Sequence, residues 1–345
     1  MSKHQPAIEQ EKQAVKNDKL RARVTGVAVL VILLIAFFVA MGLGKYNVSP
    51  IESIQILLGI APEQDAMAAN VIWGLRLPRI LASMLCGAAL AMSGATYQGV
   101  FKNPLVSPDF LGVSQGACVG AAAGILLGAS SGLIQLLAFV GGLVAVGLTL
   151  MIPALMRSTS NIMMVLSGII VGGVMSSVLG FLKYIADPES QLASITYWQL
   201  GSFSYVTMDS LLPILPLMIL SALLLMGLSW RIDIVSLGDS EAKTLGANVE
   251  AIRVLSIICA TLLTACSVCI SGTIGWVALV IPHFSRMLVG SSNTRLLPAS
   301  ALLGALFMLL VDTVTRLVGP AEMPISILTG IIGAPFYAWL LYRRR

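Results

Sequence analysis

Ten apolar runs, each close to the length that crosses a bilayer, follow one another with short polar breaks between them. They lie near residues 24 to 44, 77 to 100, 110 to 128, 132 to 156, 161 to 184, 209 to 230, 252 to 272, 274 to 290, 296 to 318 and 325 to 342. A crossing helix needs about 20 mostly apolar residues. The runs are long and uniform, not short and alternating, and an unsatisfied backbone group is too costly in hydrocarbon. An all-α polytopic membrane bundle of about ten transmembrane helices is therefore expected, and a β-barrel is not. Composition agrees, with 57% of the 345 residues hydrophobic and 11% charged, against roughly a quarter charged in an average soluble domain.

Residues 1 to 20, rich in Lys, Gln and Glu, read as a flexible cytoplasmic tail, and residues 21 to 345 as one transmembrane domain with no soluble catalytic domain left over. The polar stretch before the first run and the lack of a small-residue cleavage site favour an uncleaved first helix over a signal peptide. Lys12, Lys16, Lys19, Arg21 and Arg23 precede the first run, and Arg343, Arg344 and Arg345 close the chain. The positive-inside rule puts both termini in the cytoplasm, which an even number of crossings allows. Connections 45 to 70 and 187 to 208, on the opposite side, are long enough for short surface helices.

Several local features ask for more than a membrane anchor. Arg76 and Arg79 stand at the outer mouth of the second run, against the charge trend. Pro104 and Pro108 break the backbone at its inner exit, which is tolerated at depth only against protein or a water-filled cavity. Gly112, Gly116, Gly120 and Gly124 recur every four residues on the third run, a pattern that permits close helix packing. The polar connection 231 to 253 reads as two short helices, the first capped by Asp239 or Ser240 and ended by Gly246, the second capped by Asn248. Such a connection is either a rigid peg for a soluble partner or a solvated connector. Ser-Gly pairs in MSGATYQGVFKNPLVSP (92 to 108) and ISGTIGWVALVIPH (270 to 283) hint at an inverted repeat.

Other chemistries find little support. The Gly44–Lys45 pair lacks the glycine-rich lead that cradles phosphate, so the chain is not expected to be an ATPase and any ATP hydrolysis falls to a partner. Cys86, Cys118, Cys259, Cys266 and Cys269 lie within apolar runs, which speaks against a disulfide framework and leaves helix packing or a metal or redox role. His283 stands alone and cannot make a metal site, and neither a metal nor a resident cofactor is expected in this chain. Among ionisable residues inside the runs only Asp312 and Lys183 stand out. An ion-driven secondary transporter would need a longer relay of carboxylates or His.

The motifs RLPR (76 to 79), GAALAMSGATYQGVFKNPLVSPDFLGVSQGA (87 to 117), LGDSEAKTLG (237 to 246), SGTIGWVALVIPHFSR (271 to 286), LLPASALLGA (296 to 305) and LTGIIGAP (328 to 335) occur in order. From about Arg76 to its end the chain resembles the FecCD-type permeases of ABC importers for iron siderophores, haem and cobalamin. The resemblance implies the type II ABC importer permease fold in a bacterial inner membrane. It also implies a homodimer around a central path, two ATPase subunits holding ATP and Mg, and a periplasmic or lipid-anchored binding protein, with no nucleic acid partner. By the same resemblance Leu237, Gly238, Ala242, Leu245 and Gly246 dock into the ATPase.

Asn103, Pro104 and Leu105 would then narrow the path on its cytoplasmic side, and Thr159 with Ser160 would form a second constriction. Lys102 departs from the acidic or neutral residue the family leads one to expect there. Arg76, Arg79 and Arg316 would meet acidic residues of the binding protein, using the planar fork that suits carboxylates. Snorkelling to the interface, or for Arg316 a pair with Asp312 four residues earlier, would also account for them. Ser93, Thr96, Gln98 and Gln115 would line a hydrated path. An iron–siderophore complex is the expected cargo, with haem, cobalamin or a molybdate-type oxyanion as alternatives. An ion-driven secondary transporter and a channel or scaffold are the competing classes.

Overall fold

A computed structural model describes residues 5 to 44, 46, 48 to 60, 66 to 157, 160 to 318 and 322 to 343, and every regular element among them is helical. In chain order these are α1 (Gln5–Gly42), α2 (Pro50–Leu57), α3 (Ala66–Asn70), a π-helical stretch (Val71–Arg76), α4 (Leu77–Val100), a 3-10 turn (Pro108–Leu111), α5 (Val113–Leu126) and α6 (Ser131–Leu155). There follow α7 (Asn161–Ile185), α8 (Gln191–Leu200), α9 (Met208–Leu211), α10 (Leu215–Leu237), α11 (Asp239–Thr244), α12 (Val249–Ser271), α13 (Val277–Val289), α14 (Asn293–Leu317) and α15 (Ile325–Arg343). Seven stretches are long and apolar enough to cross a bilayer, and the shorter apolar helices Val113–Leu126, Val277–Val289 and Ile325–Leu340 complete the ten segments. The all-α polytopic architecture expected from the apolar runs is present.

Three boundaries differ from those expectations. α1 is helical from Gln5, where a flexible tail was expected; its Lys, Gln, Glu and Ala are good helix formers, and no Gly stops the helix before Gly26. α10 runs to Leu237 and not to 230, because nothing in WRIDIVSL breaks a helix before Gly238. α13 has 13 residues, which at 1.5 Å each reach about 20 Å, short of the roughly 30 Å hydrocarbon core. The non-helical residues 272 to 275 lead into it, and Trp276 starts it at φ 72°.

The interior is built on α4 and α12, whose crossing windows are 78% buried, against 22 to 33% for α1, α6, α7 and α10. α4 packs against α14, α12, α13, α10 and α1. Its small residues make that possible, since a methyl added at Gly87 would overlap the Gly304 carbonyl and one at Gly94 the Ala278 carbonyl. The four-residue glycine spacing works in the same way on α5, where Gly116 and Gly120 lie on the carbonyls of Gly141 and Leu137 of α6. Gly112 is different: it sits at φ 78° and turns the chain from the 3-10 segment into α5. The five cysteines are free and buried within the bundle.

The inverted-repeat reading does not hold at its Ser-Gly pairs. Gly94 lies inside α4, whereas Gly272 ends α12 at φ 73° against the Trp198 carbonyl. The same dipeptide is helical in one place and a terminator in the other because a different neighbour crosses each. Both long connections carry the expected short helices, and α2 begins with a reciprocal Ser49–Glu52 capping box.

Candidate functional site

The two ends of the bundle each gather charged residues. At the first, α10 stops at Gly238, whose φ of 149° redirects the backbone. Six residues of α11 follow, Gly246 turns again at φ 76°, and the Asn248 side chain accepts from the Ala251 amide at 3.1 Å to start α12. The connection therefore holds one short helix, not two, because the capped second helix is the membrane-crossing α12 itself. Neither Asp239 nor Ser240 caps α11; Gly238 holds the N-cap position and Asp239 lies in the first turn, where its charge suits the helix dipole.

A helix of six residues has little stability of its own, and this one is anchored at two points. Ala242 is fully buried and packs with Val235, Val249 and Ile252. This corrects its expected role: it cannot reach a partner, and it seats the helix on the bundle. Leu237 and Leu245, by contrast, are 66% and 63% exposed, with Gly246 on the same open turn. The second anchor is the half-exposed Asp239, whose carboxylate accepts from Arg253 at 2.9 and 3.0 Å and from Lys102 at 3.1 Å. The Arg253 hydrogen bond, and then that of Lys102, outweigh its partial burial and hold the Asp239 carboxyl below the usual carboxylate range.

Lys102 belongs to the break after α4, with φ 52°. Next to it the Asn103 side chain accepts from the Leu105 amide at 2.9 Å, closing a local turn in which Asn103 and Leu105 are exposed and Pro104 is half-buried. The 103 to 105 turn and the 238 to 246 peg are thus pinned through one carboxylate. Sequence reasoning noted Lys102 only as a departure from pattern, and its partner lies 137 residues away. Ser160, exposed at the start of α7, is separate from this cluster in sequence, and Thr159 lies outside the described residues.

At the opposite end the arginines turn inward. Arg79 donates through Nε to Asp312 at 2.9 Å and through its terminal nitrogens to Asp312 at 2.8 Å and to both Glu322 oxygens at 2.8 Å. Arg76 donates to the carbonyls of Met41 at 2.5 Å, Gly42 at 3.3 Å and Tyr46. Arg316 lies 3.5 Å from Asp312 and donates to the Ala40 carbonyl and the Thr313 hydroxyl at 3.3 Å each. The expected i,i+4 pair is present but long, and the stronger bonds to Asp312 come from Arg79 on α4.

All three guanidinium groups are buried, in contrast to the outward presentation that docking to a partner would use. Glu322 is the more exposed member, also accepting from the Ser204 hydroxyl; burial pushes its carboxyl up, but Ser204 and Arg79 together hold it below the usual range. The network ties the ends of α1, α4 and α14 to the approach to α15. Asp312 is held between two guanidinium groups, which leaves it unsuited to a proton relay.

The polar residues of α4 also differ from expectation. Ser93 donates to the Ala260 carbonyl at 2.8 Å and contacts Thr264 at 2.7 Å, Thr96 donates to the Met92 carbonyl at 2.9 Å, and Gln98 binds Arg286 and the Leu279 carbonyl. All three are buried between helices and do not line an open path within this chain, because α4 is the most enclosed part of the bundle. Gln115, on α5, is half-buried.

A ten-segment helical bundle with a buried core, one exposed peg and no strand among the described residues defines a polytopic membrane protein. The chain belongs to the FecCD transport family, whose model matches residues 32–343, and it is a membrane-spanning permease of the ABC importer class. It is 41% identical over 314 residues to the molybdate import system permease protein MolB of Haemophilus influenzae, covering 90% of this chain and 93% of that one. It is 39% identical over 285 residues to a Helicobacter pylori protein named "Probable iron chelatin transport system permease protein", with 82% and 86% covered. A solved structure titled "An inward-facing conformation of a putative metal-chelate type ABC transporter" superimposes with a TM-score of 0.84 at 39% identity, over 92% of this chain and 98% of that one.

Proposed function

We propose that the chain acts as a homodimer in a bacterial inner membrane, both termini cytoplasmic, and passes an iron–siderophore complex from a periplasmic or lipid-anchored binding protein to the cytoplasm. Two separate ATPase subunits, holding ATP and Mg, would supply the energy. The observation that carries this reading is the peg: a short helix seated by Ala242 and pinned by Asp239, with Leu237 and Leu245 exposed at its two ends. Exposed leucines on a rigid support suit an apolar groove in a soluble partner. Gly238 and Gly246 shape the turns that present them. The bridge from Asp239 to Lys102 gives peg movement a direct route to the Asn103–Leu105 turn, and Thr159 and Ser160 would complete the constriction.

The homodimer is supported by α7, whose crossing window is 28% buried and whose exposed face carries Gly173, Ser176, Ser177 and Gly180. Docking of the binding protein by Arg76, Arg79 and Arg316 requires these groups to exchange their internal partners. Loss of binding-protein capture in a folded Arg79→Glu variant supports docking, and loss of folded protein assigns Arg79 to the internal clamp.

Leu245→Glu tests coupling. Assembled complexes should keep their composition while losing ATP-driven uptake; full uptake and ATPase stimulation would sink the peg's role. A second reading, a molybdate-type oxyanion as cargo, is favoured by the 41% identical relative. Vesicles loaded with ATP and supplied with radiolabelled ferric siderophore or molybdate on the cognate binding protein separate the two, and haem and cobalamin serve as further competitors.

A further inference from the structure

A cleft of about 1390 Å3 opens at the end of the bundle that carries Glu322, between α6, α9–α10 and the end of α12. It exceeds the roughly 300 to 1,000 Å3 of ordinary small-molecule sites. Its three walls share one gradient. On α6 the lining begins with Ser131 and Gln135 and descends to Phe139, eight residues or about 12 Å further in. On the second wall Thr207 and Ser210 give way to Ile214 and Leu217. On the third, Ser271 and Gly272 lie at the mouth, and Cys269 and Cys266 lie below. At the mouth, backbone bonds tie the chain after α8 to the end of α12 (Ser202 to Ser271) and to the start of α15 (Ile325 to Gly201).

The rim carries Tyr197, Trp198 and Tyr205 together with Asp209 and Glu322, and among the described residues no Lys, Arg or His lines the cleft. Glu322 is committed to Arg79 and Ser204. The exposed Asp209 carboxylate has no hydrogen-bond or ion-pair partner among the described residues. A carboxylate beside aromatic rings suits an ammonium group, and aromatic side chains at a helix end suit the headgroup level of a bilayer. The apolar depth suits acyl chains, and α6 and α10, which flank the opening, are among the least enclosed crossing helices.

We infer that this cleft binds a single phospholipid with an ammonium headgroup, its acyl chain lying along Phe139, Ile214 and Leu217 and its ammonium beside Asp209 and the rim tyrosines. The hydroxyl of Ser131 is then available to its phosphate. The inference rests on the membrane placement of α6 and α10 and is independent of cargo and coupling.

Native mass spectrometry of the detergent-solubilised full chain, incubated with equal amounts of phosphatidylethanolamine and phosphatidylglycerol of matched acyl chains, tests it. Phosphatidylethanolamine should be retained over phosphatidylglycerol by about tenfold (about 1.4 kcal/mol). Asp209→Asn, at an exposed site that leaves the fold intact, should bring the ratio near one, and Leu217→Trp should displace both lipids by filling the depth. Equal retention in the unaltered chain, or a preference that survives Asp209→Asn, overturns the ammonium assignment. Retention unchanged by Leu217→Trp in monodisperse protein overturns the cleft as the site.

Discussion

At the peg end one carboxylate, Asp239, bridges two cations while half-exposed to water; at the opposite end one carboxylate, Asp312, bridges two guanidinium groups with no exposure at all. The side-chain chemistry is nearly the same, but the surroundings are not. Exposed ion pairs are weak because water already solvates both charges. In a buried cluster desolvation consumes much of the Coulomb gain, yet removing one member leaves an uncompensated charge in a medium of low dielectric. The buried cluster is therefore a clasp that is strongly destabilised when one member is lost. The exposed Lys102–Asp239 bridge can loosen at little cost, which suits an element that has to move.

The largest expected effect tests the clasp. Asp312→Ala leaves Arg79 and Arg316 buried together without their shared anion and should lower stability by about 3 to 5 kcal/mol, read as a fall in the thermal midpoint of purified protein. A wild-type midpoint would mean that water or lipid headgroups reach the cluster. Next comes Gly120→Val, which drives a branched side chain into the Leu137 carbonyl of α6; overpacking of this kind typically costs about 1 to 3 kcal/mol. It provides a charge-free reference for the loss of the clasp.

Asp239→Asn is expected to cost much less, about 0.2 to 1 kcal/mol, as for exposed pairs. Its pH dependence has a definite sign. Because the folded carboxyl titrates below its unfolded value, the stabilisation is present above about pH 4 and disappears as pH falls through the folded value. The substitution should remove that acid-side loss, which stability curves between about pH 6 and pH 3 will show. The smallest effect on stability, within about 0.5 kcal/mol, is expected for Leu237→Asp at the exposed foot of the peg. If this variant transports normally, the proposed division between a buried clasp and an exposed contact surface fails.

How much of this was legible in the residues varies from feature to feature. The crossing helices were readable because each apolar run must satisfy its own backbone in lipid, a requirement met locally and needing no knowledge of neighbours. The end of the short helix and the start of α12 were readable from Gly246 and Asn248, since positive φ and capping are also local, whereas the start of the short helix was expected at a cap on Asp239 or Ser240 and lies at Gly238. The connection's first helix was found; its second merged into α12, because the cap at Asn248 serves whatever helix follows it. Ala242 was misread because burial depends on Val235, Val249 and Ile252 folding back around it. Ser93, Thr96 and Gln98 looked like path residues for the same reason: nothing in their own helix says that α12 and α13 will cover them.

Sequence by itself determined the helical membrane bundle and its approximate segment count, since hydropathy and backbone satisfaction act over a few turns of one chain segment. The tertiary structure alone decided what the charges do. Arg79 meets Asp312 across 233 residues and Lys102 meets Asp239 across 137, and only the packing of α4 against α14 and α12 settles that the first bridge is buried and fixed while the second stays open to water.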